Sequence, residues 1–194
     1  MQIVLASKSP RRIQLLTELG MEFAVIPAQG EAKPDPALSP GEAVERIAAE
    51  KALDTAGKCS SGDLIIAADT LVYIDGELLG KPRSEEEAKA MLSRLSGRTH
   101  EVYTGIALIF GGRKYVAHER TKVTFAPLSE SDIAWYVSTG EPMDKAGAYG
   151  AQGKGAALIE GIEGDFFNVM GLPVHRLVRL IESAGFSISD IIKR

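Results

Sequence analysis

Short apolar runs alternate along this chain with segments of helical periodicity, and two hairpin signals interrupt the alternation. Gln2–Ala6 reads as a buried strand. Ser9 and Pro10 then open a helix with Ile13, Leu16 and Leu19 on one stripe and Gly20 as its stop. Glu22–Ile26 reads as a second strand, and Ser39-Pro40-Gly41-Glu42 is a capping box that starts a helix running to about Thr55. Leu64–Ala68 carries no polar side chain, the mark of a strand covered on both faces. Leu71–Ile74 and Glu77–Leu79 flank Asp75-Gly76, a strong hairpin signal. Ser84–Glu87 is a second capping box, followed by Ala88, Met91, Leu92 and Leu95 on one helical face and Gly97 as the end. Thr99–Phe110 and Arg113–Ala126 read as long strands joined by Gly111-Gly112. Ser129 caps a helix to about Ser138, Ala156–Ile162 reads as a strand, and Pro173 opens a last helix that ends at Gly185. Helices interleaved with strands and hairpins predict an α/β fold with a mixed sheet and flanking helices.

The 194 residues are 45% hydrophobic and 25% charged, which fits one domain or two small lobes with a core that needs no disulfides. Cys59, alone, excludes a disulfide framework and a tetrathiolate zinc site, and His100, His118 and His175 are too scattered for a helical zinc motif. Ile3–Ala6 has no charged segment ahead of it and so is not expected to be a secretory signal. No apolar run approaches the ~18 residues of a membrane span. A membrane is therefore not an expected partner, and the cytoplasm is the expected location. The net charge of −4 argues against long nucleic acid as a partner but leaves room for a short polyphosphate in a local basic pocket.

Five groupings carry chemistry. Ser7-Lys8-Ser9-Pro10-Arg11-Arg12 places two hydroxyls and two arginines at a helix start. One reading is a plain cap with solvated arginines. The other is an anion site, favoured because cations in a first turn oppose the helix dipole unless an anion sits there. Ala67-Ala68-Asp69-Thr70 puts a carboxylate at the C-terminal end of an apolar strand, where ligands of α/β sheets bind, although a turn aspartate is the simpler reading. Gly80-Lys81-Pro82 holds a lysine on a stiff turn, and alone it reads as a surface lysine. Lys51 falls on the apolar stripe of its helix with Val44, Ile47 and Ala48, so it needs either a partner or a route to water. Glu141–Gly153 mixes Asp144, Lys145 and Gln152 with small residues, as a ligand loop or a flexible one does. Pro27–Pro40, with four prolines, is a long loop of the kind that often carries function. Trp135 and Phe125 are read as packing residues. The Walker, G-x-G-x-x-G and G-x-S-x-G patterns are absent.

The ordered set Ser-x-Ser-Pro-Arg-Arg, Glu50-Lys51-Ala52, Ala68-Asp69-Thr70, Gly80-Lys81-Pro82, Ser96-Gly97 with His100–Gly105, Glu141-Pro142 with Asp144–Tyr149, Gln152-Gly153 and Gly171-Leu172-Pro173 closely resembles the Maf family of nucleoside triphosphate pyrophosphatases. The resemblance spans nearly all of residues 1–194. It implies a single Maf-like domain with an inosine-triphosphatase-like fold: an elongated mixed sheet and two lobes around a cleft. It further implies metal-dependent hydrolysis of a nucleoside triphosphate to monophosphate and pyrophosphate, in the house-cleaning of nucleotide pools. Members have also been described as septum-formation inhibitors, and a homodimer is implied by family habit alone. Within the resemblance Asp69 is the proton acceptor. Arg12, Thr70 and Gln152 match the branch acting on dTTP and UTP and not the branch acting on 7-methyl-GTP. The family often carries an Asp-Glu pair in the long loop after the second strand. Gly30-Glu31 stands there in this chain, so Glu31 keeps a metal role without its acidic neighbour.

The chemistry is coherent on its own terms. A triphosphate carries about four negative charges and calls for several cations and a metal. Arg11, Arg12, Lys51, Lys81 and Lys145 supply the cations, with Ser7 and Ser9 as further phosphate contacts. Asp69 and Glu31 fit the one or two carboxylates that Mg²⁺ or Mn²⁺ takes beside phosphate oxygens and water. The expected reaction is attack at the α-phosphorus by a metal-bound water that Asp69 deprotonates. Gln152 has the donor and acceptor needed to read a pyrimidine edge. Two rivals stand beside this reading: a non-catalytic nucleotide-binding regulator of cell division, and the same chemistry on a modified purine nucleotide.

Overall fold

The computed structural model describes residues 1–30 and 32–192. The elements run β1 (Ile3–Leu5), α1 (Pro10–Glu18), β2 (Ala24–Val25), α2 (Pro40–Ala56), β3 (Leu64–Ile74), β4 (Glu77–Leu79) and α3 (Glu85–Leu95). They continue with β5 (Thr99–Phe110), β6 (Arg113–Phe125), α4 (Glu130–Ser138), β7 (Ile159–Glu163), α5 (Phe166–Met170), α6 (Val174–Ser183) and α7 (Ile188–Ile191). The strands form a mixed sheet in the order β2-β1-β3-β5-β6-β7, with β4 paired to β3. β1 pairs in parallel with β2 and with β3, whereas β3–β4 and β6–β7 are antiparallel. The mixed α/β sheet with flanking helices is thus the one the sequence predicts.

Capping chemistry explains most helix starts. Ser39 and Glu42 make the full capping box of α2, and Ser129 with Asp132 makes that of α4. At α3 the box is only half formed. Ser84 accepts from the Glu87 N–H, but the Glu87 carboxylate turns back to the Arg83 N–H (2.7 Å). Ser9 is the N-cap residue of α1, yet its side chain makes no capping bond.

Four sequence expectations need correction. The strand expected over Leu64–Ala68 does not stop before Asp69 but continues to Ile74, so Asp69 lies inside β3. The reason is a change of partner. The β1 pairing ends at Leu5↔Ile66 and the β4 pairing begins at Val72↔Leu79, which lets one strand serve both. Residues 156–158 form the end of a 3-10 turn (Gly153–Leu158), and β7 starts only at Ile159. The last predicted helix is followed by α7 and preceded by α5, both too short to show helical periodicity. Trp135 does not pack inside: it is 49% exposed, on the opposite side of α4 from Ile133, Tyr136 and Val137.

Contact density divides the chain into two compact units. The first comprises Met1–Asp69, Thr104–Glu119 and Gly171–Arg194. Its core includes Val4, Ala6, Ala48, Ala52, Ile65, Ala67 and Ala107. The small residues reflect how close α2 lies to the sheet. A Cβ on Gly105 would stand 2.3 Å from the carbonyl group of Val44 and 2.6 Å from the Glu45 nitrogen, so only glycine admits the α2 backbone there. The second unit comprises Thr70–Tyr103 and Arg120–Met170, with Leu92, Leu95, Phe125, Tyr136 and Leu158 in its core. Gly105→Ala is expected to destabilise the protein by roughly 2–3 kcal/mol or more through backbone displacement, measured by urea unfolding. A midpoint unchanged from the parent would contradict this packing.

Candidate active site

In the first unit the predicted residues gather around the start of α1. No acidic side chain lies in the first turn of α1, and Arg11 and Arg12 stand there instead. Arg12 is buried (8% exposed) and folds back, donating from Nε to the Gly171 carbonyl (2.7 Å) and from Nη1 to Ser7 Oγ (3.1 Å). Ser7 Oγ also accepts from the Ser9 N–H (3.2 Å), which fixes the turn between β1 and α1. Burial lowers the Arg12 pKa to about 10, with the negative charge of Asp69 working in the opposite direction and the positive charge of Arg11 in the same one. Two cations at a helix N-terminus are unfavourable without an anion, and a phosphate is the anion such a terminus accepts.

Lys51 answers the question its position on the buried stripe of α2 raises. Its Nζ donates to Asp69 Oδ1 at 2.5 Å, with the two side chains 23% and 15% exposed. The other Asp69 oxygen, Oδ2, makes no hydrogen bond or ion pair among the described residues. One carboxylate oxygen is therefore held and one is available to a water molecule or a cation. Glu31, the other expected metal ligand, lies outside the described residues. Among the described residues no group of three His, Cys, Asp or Glu side chains stands close enough to hold a metal ion by itself.

The second unit carries Thr70, Lys81, Lys145 and Gln152. Thr70 follows Asp69 directly in β3 and is half-buried, as Gln152 is. Lys81 is exposed on the turn after β4. The Gly147 N–H donates to the Gly80 carbonyl (3.0 Å), so the Lys81 turn and the Lys145 segment are tied together. Lys145 is not a free cation: its Nζ donates to the Glu141 carbonyl (2.6 Å) and to Asp144 Oδ1 (2.7 Å). Nor is residues 141–158 an open flexible loop. It is built of 3-10 turns at Glu141–Asp144, Ala146–Ala148 and Gly153–Leu158.

Sequence reasoning did not find the groups that hold this segment. The His100 Nε2 shares a 2.7 Å hydrogen bond with the Tyr149 hydroxyl, and both rings pack edge-on against Phe125 and each other. Glu141 accepts from Tyr136, Lys154 and Gly155. His100 and Tyr149 are 49 residues apart, so no local pattern signals the bond.

A family model described as Maf-like protein matches residues 2–184. The chain belongs to the Maf family. Among curated Maf relatives, the dTTP/UTP pyrophosphatase of Symbiobacterium thermophilum is 52% identical over 187 residues, covering 96% of each chain. That of Methanosarcina barkeri is 49% identical over 192 residues, covering 97% of each. Among solved structures, a HAM1 protein from Coxiella burnetii superposes with a TM-score of 0.50 at 17% identity, over 94% of this chain and 99% of that one, which shows a shared fold. In this Maf chain, as throughout the described residues, no helix is long and apolar enough to cross a membrane.

The His100 bond generates a pH prediction. Burial lowers the His100 pKa from 6.5 to about 4. Between these two values the unfolded chain binds a proton at this site and the folded chain does not, so stability falls as pH falls through the interval. The full loss is on the order of 3 kcal/mol. His100→Gln is expected to flatten the dependence of unfolding free energy on pH between 6.5 and 4 by about one proton. An unaltered slope would show that His100 is not held neutral.

Proposed function

We propose that this chain hydrolyses dTTP and UTP to the nucleoside monophosphate and pyrophosphate, using a divalent cation, Mg²⁺ or Mn²⁺. The observation that carries the reading is the first-unit cluster: an uncapped helix start bearing Ser7, Ser9, Arg11 and Arg12, together with a Lys51–Asp69 pair that leaves Asp69 Oδ2 available. That relatives at about half identity are dTTP/UTP pyrophosphatases supports the substrate.

Each residue then has a task. The α1 N–H groups, Ser7, Ser9, Arg11 and Arg12 hold phosphoryl oxygens. Asp69 accepts a proton from the attacking water as its oxygen bonds to the α-phosphorus. The bond from that phosphorus to the bridging oxygen of the β-phosphate breaks, and pyrophosphate leaves. Lys51 orients Asp69 and balances its charge. Lys81 and Lys145 take up the negative charge that grows on the leaving pyrophosphate, for which Lys145 exchanges Asp144 for a phosphoryl oxygen. Gln152 reads the base edge, with Thr70 and Arg12 as the other residues of the dTTP/UTP branch. A pocket of this kind separates uracil from thymine only weakly, because one methyl group is worth about 1–3 kcal/mol.

The donors fit a hard divalent ion that draws most of its ligands from the substrate. Asp69 Oδ2 is a carboxylate oxygen without another partner among the described residues, and Glu31 is the second proposed ligand. When bound, the ion supplies charge neutralisation at the phosphates and a more acidic attacking water.

A panel of dTTP, UTP, dATP, dGTP and 7-methyl-GTP with Mg²⁺ or Mn²⁺ tests the reading. Pyrophosphate release is expected for dTTP and UTP, and it is expected to stop on addition of a chelator. Orthophosphate as the product, or tight binding without turnover, would refute it. Asp69→Asn is expected to lower kcat by about 10²–10⁴-fold while nucleotide binding, followed by calorimetry, persists.

A further inference from the structure

The segment carrying Lys145 and Gln152 is closed by two side chains that have no task in the chemistry above. Tyr136 is fully buried on α4, and its hydroxyl donates to Glu141 Oε1 (3.0 Å) while accepting from the Gly150 N–H (3.2 Å). Glu141 Oε1 also accepts from the Gly155 N–H (3.0 Å), and Oε2 accepts from the Lys154 N–H (3.1 Å). The Glu141 backbone carbonyl meanwhile receives Lys145 Nζ (2.6 Å). One hydroxyl and one carboxylate thus grip the chain on both sides of Gln152, at Gly150 before it and at Lys154 and Gly155 after it.

The fit is close. A Cβ on Gly155 would lie 2.4 Å from the Gly150 carbonyl and 2.6 Å from the Tyr136 hydroxyl, and one on Gly153 would lie 3.0 Å from Glu141 Oε2. Burial opposes ionisation of Glu141, but the Gly155 and Lys154 N–H groups, the Tyr136 hydroxyl and the charge of Lys145 outweigh it and hold the carboxyl below its usual range. A fixed negative charge beside a lysine meant for phosphate weakens that lysine's attraction for an anion. Its presence there calls for a compensating task.

We infer that Tyr136 and Glu141 are positioning residues that set base selectivity by fixing Gln152 in its reading position. The inference rests on the proposed role of Gln152. A side chain that recognises a base through directed hydrogen bonds discriminates only if its backbone is held, because a mobile amide can pair with a wrong base as readily as a right one. The clamp supplies that restraint through backbone N–H groups, without itself touching the base.

The experiment compares Tyr136→Phe, Glu141→Gln and Gln152→Ala with the parent. Ser96→Ala serves as control: it removes another hydroxyl of the second unit, one that accepts from the Leu128 N–H (2.7 Å) and has no link to Gln152. Folding is checked by circular dichroism and Tm. Selectivity is read as the ratio of kcat/KM for dTTP over dATP. It is read a second time as the Kd ratio of their α,β-imido analogues, which needs no turnover. Glu141→Gln puts an amide donor against backbone N–H donors, so it disturbs the clamp even if Tyr136→Phe folds poorly. The expected result is that both clamp variants lower the selectivity ratio by at least about tenfold, mainly through KM and as Gln152→Ala does, whereas Ser96→Ala lowers Tm without changing the ratio. Clamp variants that keep the ratio within about twofold while Gln152→Ala loses it would overturn the inference and leave the role of Gln152 standing. An equal loss in Ser96→Ala would reduce the clamp to general stability and overturn it too. No change in Gln152→Ala would remove both the inference and the reading beneath it.

Discussion

The fold of the first unit turns on one half-buried ion pair, Lys51 with Asp69. A carboxylate that is 15% exposed is costly to desolvate unless a cation answers it, and Lys51 can do so only if α2 lies close against the sheet. Gly105 makes that approach possible at Val44, and Lys51 follows Val44 on the same helical face seven residues later. The run of alanines in α2 and the sheet beneath it serves the same end by keeping the layers thin. The position of Asp69 follows from β3 itself, which leaves β1 after Ile66 and meets β4 at Val72. The strand has neither of those partners at Asp69.

Charge is handled differently in the two units. Around α1 the arginines stand at the positive end of the helix dipole, and Arg12 donates to the Gly171 carbonyl and to Ser7. In the second unit Lys145 is already paired with Asp144 and with the Glu141 carbonyl, so its charge is released only by exchange.

Much of the site was legible from residue type and spacing. Lys51 on an apolar stripe required either a partner or a route to water, and the structure supplies a partner, Asp69. The arginines after Ser9 left two readings open, solvated side chains or an anion site, and α1 has neither a side-chain cap nor a first-turn acid. The sequence puts Asp69 at a strand end because Leu64–Ala68 is wholly apolar and Asp69-Thr70 is not. A single strand that changes partner along its length looks, in sequence, like two strands. The full box at Ser39 and the half box at Ser84 have the same spacing, and only the neighbouring Arg83 N–H, in its folded position, separates them.

Local chemistry determined which segments become helices, strands and hairpins, because capping, periodicity and turn preference act over a few residues. It also determined which side chains are chemically unusual where they stand. Tertiary structure alone decided who meets whom: Lys51 with Asp69, Arg12 with Gly171 across 159 residues, His100 with Tyr149 across 49, and Tyr136 and Glu141 with the backbone around Gln152. These are hydrogen bonds and ion pairs whose partners are chosen by the packing of whole layers, and a hydrogen bond at 3 Å leaves no trace in the spacing of residues far apart along the chain.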